Sequence, residues 1–290
     1  MDAYWHVFVE AGMSLLRQAL ISAESLTAAL ASGPRVIYEV ASSSLLFERA
    51  HVPGARRLPA EPALKDAGGM TLISPQQFDA LAADMGLREG AAPVFYDGGG
   101  GVASARATWV FRYYGVPAQI LDGGWGAWVR GGGRVEMGAP GAALAAHAAA
   151  PVRAQPVAAL RADLAEVCGA PAARAQLVDA RSYREYIGEE LRGNAYPGRP
   201  LGAVHVPHTS VLTHTGSLAP PSELQRLFRA AGLHDLDACT IVYCQAGVRA
   251  SLVAIALDAA GFRNVKVYDE SCAEYNNREG LGREMGSARV

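Results

Sequence analysis

Cysteine is scarce in this chain. There are four in 290 residues (Cys168, Cys239, Cys244 and Cys272), with no Cys-x-x-Cys pair and no His/Cys cluster at metal-ligand spacing. That pattern excludes a zinc motif and a disulfide scaffold, and the four read as thiols of a reducing compartment. Long apolar runs are missing too: none approaches the ~20 residues that span a bilayer, so no membrane partner is expected. The first residues, MDAYWHVFVEAGM, carry Asp2 and Glu10 and lack a basic start before an apolar core. They make a poor signal peptide, and the cytoplasm is the expected compartment. Charge of one sign is also lacking, with a net charge of -2 and scattered Arg and Lys, so no nucleic-acid partner is expected. What remains is ordinary globular chemistry, 50% apolar and 19% charged, in a chain long enough for two domains.

The chain repeats itself. VFYDGGGGVASARATWVFRYYGVPAQILDGGWGAW (94–128) matches IVYCQAGVRASLVAIALDAAGFRNVKVYDESCAEY (241–275). Tyr96 pairs with Tyr243, Asp97 with Cys244, Asp122 with Asp269 and Trp128 with Tyr275, each 147 positions apart. Upstream, HVPGARRLP (51–59) pairs with RPLGAVHVP (199–207) at a separation of 148. Two homologous domains follow: an N-terminal one over 1–136, a linker over 137–156 that is rich in Ala, Gly and Pro, and a C-terminal one over 157–290. The Ala run inside the linker is also open to a helical reading.

Within each half, short β-branched runs alternate with helical patterns. RVIYEV (35–40), AQLVDA (175–180), TIVYC (240–244) and NVKVYD (264–269) read as strands. The segments at 74–86 and 220–232 read as helices with serine caps, and RASLVAIALDAAG (249–261) as the helix after the TIVYC strand. Such alternation predicts α/β domains with parallel sheets covered by helices on both faces.

Cys244 therefore ends a strand and opens a tight loop, Gln245-Ala246-Gly247-Val248-Arg249, into a helix. Backbone N–H groups of such a loop and of the first helical turn converge, and the helix dipole adds partial positive charge. A thiol at this position is expected to favour its thiolate, and the same donors would stabilise an anion attached to the sulfur. Gly247 permits a turn that a side chain would obstruct, and Arg249 adds a fork-shaped cation that either acts directly or braces the loop against a carboxylate.

At these residues the chain resembles tandem-domain rhodanese-type sulfurtransferases. The likeness is carried by Cys-x-x-Gly-Val-x-Ala at 244–250, the HVPGA and PLGAVHVP segments, LDGG-x-x-x-W at 121–128 and Asp-Ala-Arg-Ser at 179–182, and it runs from about residue 22 to 278. The resemblance implies two tandem rhodanese-like domains and a double displacement. Cys244 would take a sulfane sulfur from an anionic small-molecule donor as a persulfide and give it to an acceptor such as cyanide, a thiol or a thiol carrier protein of the thioredoxin kind. No cofactor and no metal are implied. Asp97 stands at the cysteine position of the first half, which is then catalytically degenerate. Arg181, by its place in the Asp-Ala-Arg-Ser motif, is the implied donor anchor, with Arg192 in GEELRGNAYPGR as a second candidate. Thiosulfate is favoured over 3-mercaptopyruvate, because Ala246 stands where mercaptopyruvate enzymes carry serine.

Other readings of the same residues are a cysteine-dependent phosphatase and a non-enzymatic binding or redox module. The phosphatase loop separates cysteine and arginine by five residues, and here Arg249 comes one place too early. Cys168, Cys239 and Cys272 read as packing residues, with Cys272 also open to resolving a persulfide as a disulfide. His205 and His208 lack a third ligand for a metal. The DGGGG run (97–101) is not followed by a phosphate-loop lysine and reads as a remnant of the Cys244 loop.

Overall fold

The computed structural model describes Leu16 and residues 18–33, 35–60, 64–139 and 149–286. The N-terminal stretch read as a poor signal peptide and the Ala run of the linker lie outside them. The chain packs as two units. One comprises Gln18–Val157 with Thr213–Leu218; the other holds Ala158–Leu212 and the described residues from Ala219 on.

The first unit is built on five parallel strands, β1 (Leu20–Ile21), β2 (Ile37–Ala41), β3 (Arg56–Pro59), β4 (Val94–Tyr96) and β5 (Gln119–Leu121), in the order β1-β5-β4-β2-β3. Its helices are α1 (Ala23–Ala31), α2 (Ser44–Arg49), α3 (Pro75–Asp84), α4 (Val102–Tyr113) and α5 (Gly124–Arg130). Local chemistry sets several of their starts. Ser22 caps α1, and Ser74 with Gln77 forms a reciprocal capping box ahead of Pro75 at the start of α3. Residues 150–157 run along this unit: Val152 N–H donates to Leu87 O, Gln155 N–H to Tyr114 O and Val157 N–H to Tyr113 O. The end of the linker is therefore anchored by backbone hydrogen bonds.

The second unit repeats the plan with β6 (Arg161–Ala162), β7 (Gln176–Asp179), β9 (Val204–His205), β10 (Thr240–Tyr243) and β11 (Val265–Tyr268), all parallel, in the order β6-β11-β10-β7-β9. A small antiparallel pair joins β8 (Arg199–Pro200) to β12 (Arg283–Glu284). Its helices are α6 (Leu164–Ala173), α7 (Tyr183–Tyr186), α8 (Pro221–Ala230), α9 (Val248–Ala259) and α10 (Ser271–Tyr275). The central strand β10 is buried along its whole length, as a strand covered on both faces must be. Helix α9 is buried from Ala250 through Leu257, which its nearly unbroken apolar sequence allows.

The four strands and three helices read from the sequence fall within about two residues of where the period and turn signals put them. One detail differs: α8 has no serine cap. Its N-cap is Pro220 and Pro221 is its first residue, because proline's fixed φ starts the helix one residue before Ser222.

Candidate active site

The parallel register brings Cys244 to the carboxyl end of the central strand, where ligands bind in open α/β sheets. Tyr243 pairs with Asp179 across β10 and β7, and its hydroxyl donates to Asp179 Oδ2 at 3.0 Å. The first unit makes the same contact, Tyr96 to Glu39 Oε2 at 2.9 Å, from the same register of β4 and β2. The sheet end that presents position 244 is thus duplicated. What each unit places on it differs.

In the first unit the position is Asp97. Its Oδ1 accepts from Gly99 N–H (3.0 Å) and Gly101 N–H (3.1 Å), and its Oδ2 accepts from Ser104 N–H (3.0 Å) and Ser104 Oγ (2.9 Å). A carboxylate therefore fills the turn, held by main-chain donors at the start of α4. Gly101 caps that helix in the left-handed region, at φ 67°. Gly247 caps α9 in the same way, at φ 72°. Three residues separate Asp97 from its cap and two separate Cys244 from its own, so the Cys244 loop is one residue shorter. The register is recovered by β11, which is one residue longer than β5.

The Cys244 loop is held from across the sheet. Ser271 Oγ accepts from Cys244 N–H and from Gly247 N–H, both at 3.1 Å, and donates to Tyr268 O at 2.7 Å. Ser271 is fully buried and sits at φ 53°, a left-handed conformation that costs a non-glycine residue about 1 kcal/mol. The first unit has Gly124 there, at φ 52°. In addition, Cys272 N–H donates to Cys244 O (3.2 Å) and Ala273 N–H to Gln245 O (2.9 Å). A Cβ on Gly247 would overlap Asp269 Oδ1 and lie 2.8 Å from Asp269 O, so glycine is required for space as well as for φ.

This arrangement amends the expectation that all N–H groups of the loop are open to an anion. The Gly247 N–H is taken by Ser271. Among the described residues, the N–H groups of Gln245, Ala246, Val248 and Arg249 make no hydrogen bond. The last two belong to the first turn of α9, whose donors have no intrahelical acceptor. Cys244 is 1% exposed, under loop residues Gln245, Ala246, Val248 and Arg249 that are half-buried. The Gln245 side chain is not free: its amide exchanges two hydrogen bonds with that of Asn194, at 2.9 and 3.1 Å.

The arginines sort differently from their order in the sequence. Arg181 is 1% exposed and turned inward. Its Nε and Nη2 grip Asp179 at 2.7 to 3.0 Å, and Nη2 also donates to Gly198 O at 3.0 Å. Burial would lower its pKa, but the adjacent Asp179 carboxylate raises it. Nε and Nη2 of its guanidinium are thus committed to Asp179 and Gly198. Arg249 is the loop brace: Nη1 and Nη2 donate to Glu185 Oε2 and Oε1 at 2.7 and 2.8 Å. Burial would raise the Glu185 carboxyl, but hydrogen bonds from Arg249 and from the Ser182 backbone outweigh it and bring it down to about 2. Arg192 is half exposed, with Nε 3.9 Å from Glu185 Oε1 and Nη1 3.4 Å from Glu190 Oε1. Of the two arginines read as substrate-binding, Arg192 is the one facing solvent beside the loop.

Ser271, Glu185 and Asn194 are the site residues that sequence reasoning missed. The signal for Glu185 was its place at N3 of a Ser-x-x-Glu capping box over 182–185.

The remaining candidates are structural. Cys272 is fully buried, and burial pushes its thiol well up. Cys239 is half-buried, and burial raises its thiol, whereas Cys168, read as a packing residue, is exposed on α6, which corrects that reading. His205 stacks on Tyr186 with ring centroids 4.6 Å apart, and its Nε2 lies 3.0 Å from Arg181 O. Burial and then the Arg249 charge lower the pKa of His208, which keeps it neutral near pH 7. Among the described residues no group of three or more His, Cys, Asp or Glu could hold a metal ion, and no helix is long and apolar enough to cross a membrane.

A duplicated parallel sheet with a strand-to-helix loop at its carboxyl end defines an α/β domain pair of one family. The family model described as "Rhodanese-like domain" matches twice, over residues 22–130 and 161–278. The chain belongs to the rhodanese family, and it is an enzyme of the sulfurtransferase class. It is 30% identical over 264 residues to "Putative thiosulfate sulfurtransferase 1" of Mycobacterium bovis, covering 88% of this chain and 93% of that one. It is 28% identical to "Sulfur carrier protein TtuD" of Thermus thermophilus, over 86% of this chain and 90% of the relative. Among solved structures, YnjE superposes with a TM-score of 0.80 at 23% identity, over 94% of this chain and 70% of that chain. Wild-type EanB gives 0.77 at 20% identity, over 94% and 71%. At those identities the likeness is one of fold.

Proposed function

We propose that the chain moves a sulfane sulfur from a small anionic donor to a thiophilic acceptor through a persulfide on Cys244. The Cys244 thiolate attacks the outer sulfur of the donor, forming a Cys–S–S⁻ persulfide and releasing the rest of the donor with the electron pair of the broken S–S bond. With thiosulfate the released group is sulfite. Cyanide or a thiolate then attacks the outer sulfur of the persulfide and restores the Cys244 thiolate. Thiosulfate, named in the relatives, is the reference donor, and 3-mercaptopyruvate is the alternative. A thiol carrier protein of the thioredoxin kind is a further acceptor, and the sulfur-carrier relative adds weight to one.

The observation that carries this reading is the Asp97 carboxylate in the first unit. There the same strand-to-helix turn holds an anion on main-chain donors at 3.0 to 3.1 Å. In the second unit a sulfur takes the place of that carboxylate, with unpaired N–H groups of the loop and first helical turn beside it. The phosphatase reading is disfavoured by a short loop whose arginine is engaged by Glu185.

The test is intact mass after incubation with thiosulfate, with and without cyanide, on wild type and Cys244→Ser. The wild type should gain one sulfur atom and lose it to cyanide, while the serine variant gains none. Sulfur uptake by the serine variant, or none by the wild type from either donor, would refute the proposal.

A further inference from the structure

Each arginine beside the Cys244 loop faces a carboxylate. Arg181 is matched by Asp179, with the buried pair closed at 2.7 Å. Arg249 is matched by Glu185 through two hydrogen bonds, and Arg192 by Glu190 at 3.4 Å. His208, which the Arg249 charge helps to keep deprotonated, adds none. A site built to hold a dianion such as thiosulfate would carry cations in excess of its own carboxylates. Here a carboxylate that is 3% exposed is wedged between two guanidinium groups, Arg249 in direct contact and Arg192 at 3.9 Å. Nothing in the fold of α7 calls for a charge at that atom pair, since a neutral Gln at the same position completes the capping box with Ser182 equally well.

We infer that Glu185 is the specificity-determining residue for donor charge: by neutralising Arg249 it makes the loop favour monoanionic sulfane donors, of the thiosulfonate or organic persulfide class, over dianionic thiosulfate. This deepens the persulfide reading and rests on it. A monoanionic thiosulfonate reacts with the same balance: the Cys244 thiolate bonds to the outer sulfur, the S–S bond of the donor breaks, and a sulfinate leaves with the electron pair. Thiosulfate remains a substrate, but the charge arrangement does not select it.

The test separates the inference from the reading beneath it. Binding of thiosulfate and of methanethiosulfonate is measured by calorimetry on the full chain in a Cys244→Ser background, which cannot turn over. Glu185→Gln frees the Arg249 charge and should raise affinity for thiosulfate relative to methanethiosulfonate about fivefold, the effect of one unit charge at roughly 8 Å and an effective dielectric near 40. Arg249→Gln takes away the directly bonded cation, leaving Glu185 only Arg192 at 3.9 Å, and should move the ratio about fivefold the other way. The double variant Glu185→Gln/Arg249→Gln should return it to the parent value. A ratio that stays constant while both affinities fall would mean that Glu185 only supports the loop, and would overturn the inference, as would absence of binding by both anions. Sulfur loading of the parent Cys244 protein is scored separately by mass. A shifted binding ratio without any loading would keep the charge assignment and remove the persulfide.

Discussion

Ser271 and Cys244, twenty-seven positions apart in the chain, are joined by a 3.1 Å hydrogen bond from the Cys244 N–H to the Ser271 hydroxyl. The same oxygen receives the Gly247 N–H, so one buried side chain fixes both ends of the turn that carries the thiol. It does so from a left-handed backbone that the first unit reserves for glycine. Ser271→Ala strips the partner from two buried donors and should cost about 2–6 kcal/mol, at roughly 1–3 kcal/mol for each unsatisfied group. Ser271→Gly loses the same bonds but relieves about 1 kcal/mol of strain, so it should be the milder change. Urea unfolding of both variants measures the order, and sulfur loading of Cys244 should slow in both.

Gly247 and Gly98 make an opposite pair. Gly247→Ala must place a Cβ against Asp269 at φ 72°, whereas Gly98 has open space around it. The first substitution should cost about 3 kcal/mol or more and the second less than about 0.5 kcal/mol, as read by denaturant midpoints. Equal costs would mean that the Asp269 contact yields easily.

Arg181 and Arg192 should separate stability from binding. Arg181→Ala leaves Asp179 buried without its partner and should cost about 3–5 kcal/mol, as for other broken buried pairs. Arg192→Ala removes a half-exposed side chain from solvent-screened contacts and should change stability by less than about 0.5 kcal/mol. Its effect should appear instead as a higher KM for an anionic donor with little change in kcat.

Glu185 predicts an acid limb of the stability curve. Its carboxyl is lowered in the folded protein from the ordinary 4.5 to about 2, so the folded state holds fewer protons there than the unfolded one between those values. The stabilisation is fully present above pH 4.5 and is lost as pH falls toward 2. It amounts to about 3 kcal/mol at full strength. Wild type should lose urea stability over this window more steeply than Glu185→Gln. Parallel curves would show that the Arg249 contact does not perturb the carboxyl.

Much of the site could be read without coordinates. Cys244 stands where a β-branched run gives way to a helical one, and Gly247 three places on announces the turn, because both signals are local. Asp97 at the matching place of the first half followed from the repeat alone. Arg181 shows how far a motif reaches: it says that a guanidinium follows the strand, but not that a carboxylate two residues earlier will bind it. Ser271 carried no signal, since a hydroxyl matters here only through donors that the chain supplies 24 and 27 positions earlier.

The sequence by itself therefore determined the duplicated α/β plan, the strand that ends in Cys244 and the loss of the thiol from the first half, because periodicity, turn residues and a repeat are properties of neighbouring positions. Only the tertiary structure decided which charges cancel, which N–H groups stay unpaired and which arginine meets solvent. Those depend on the parallel register of β7 and β10 and on the folding back of α7 and α10 beside the loop, which set distances between residues that the chain holds far apart.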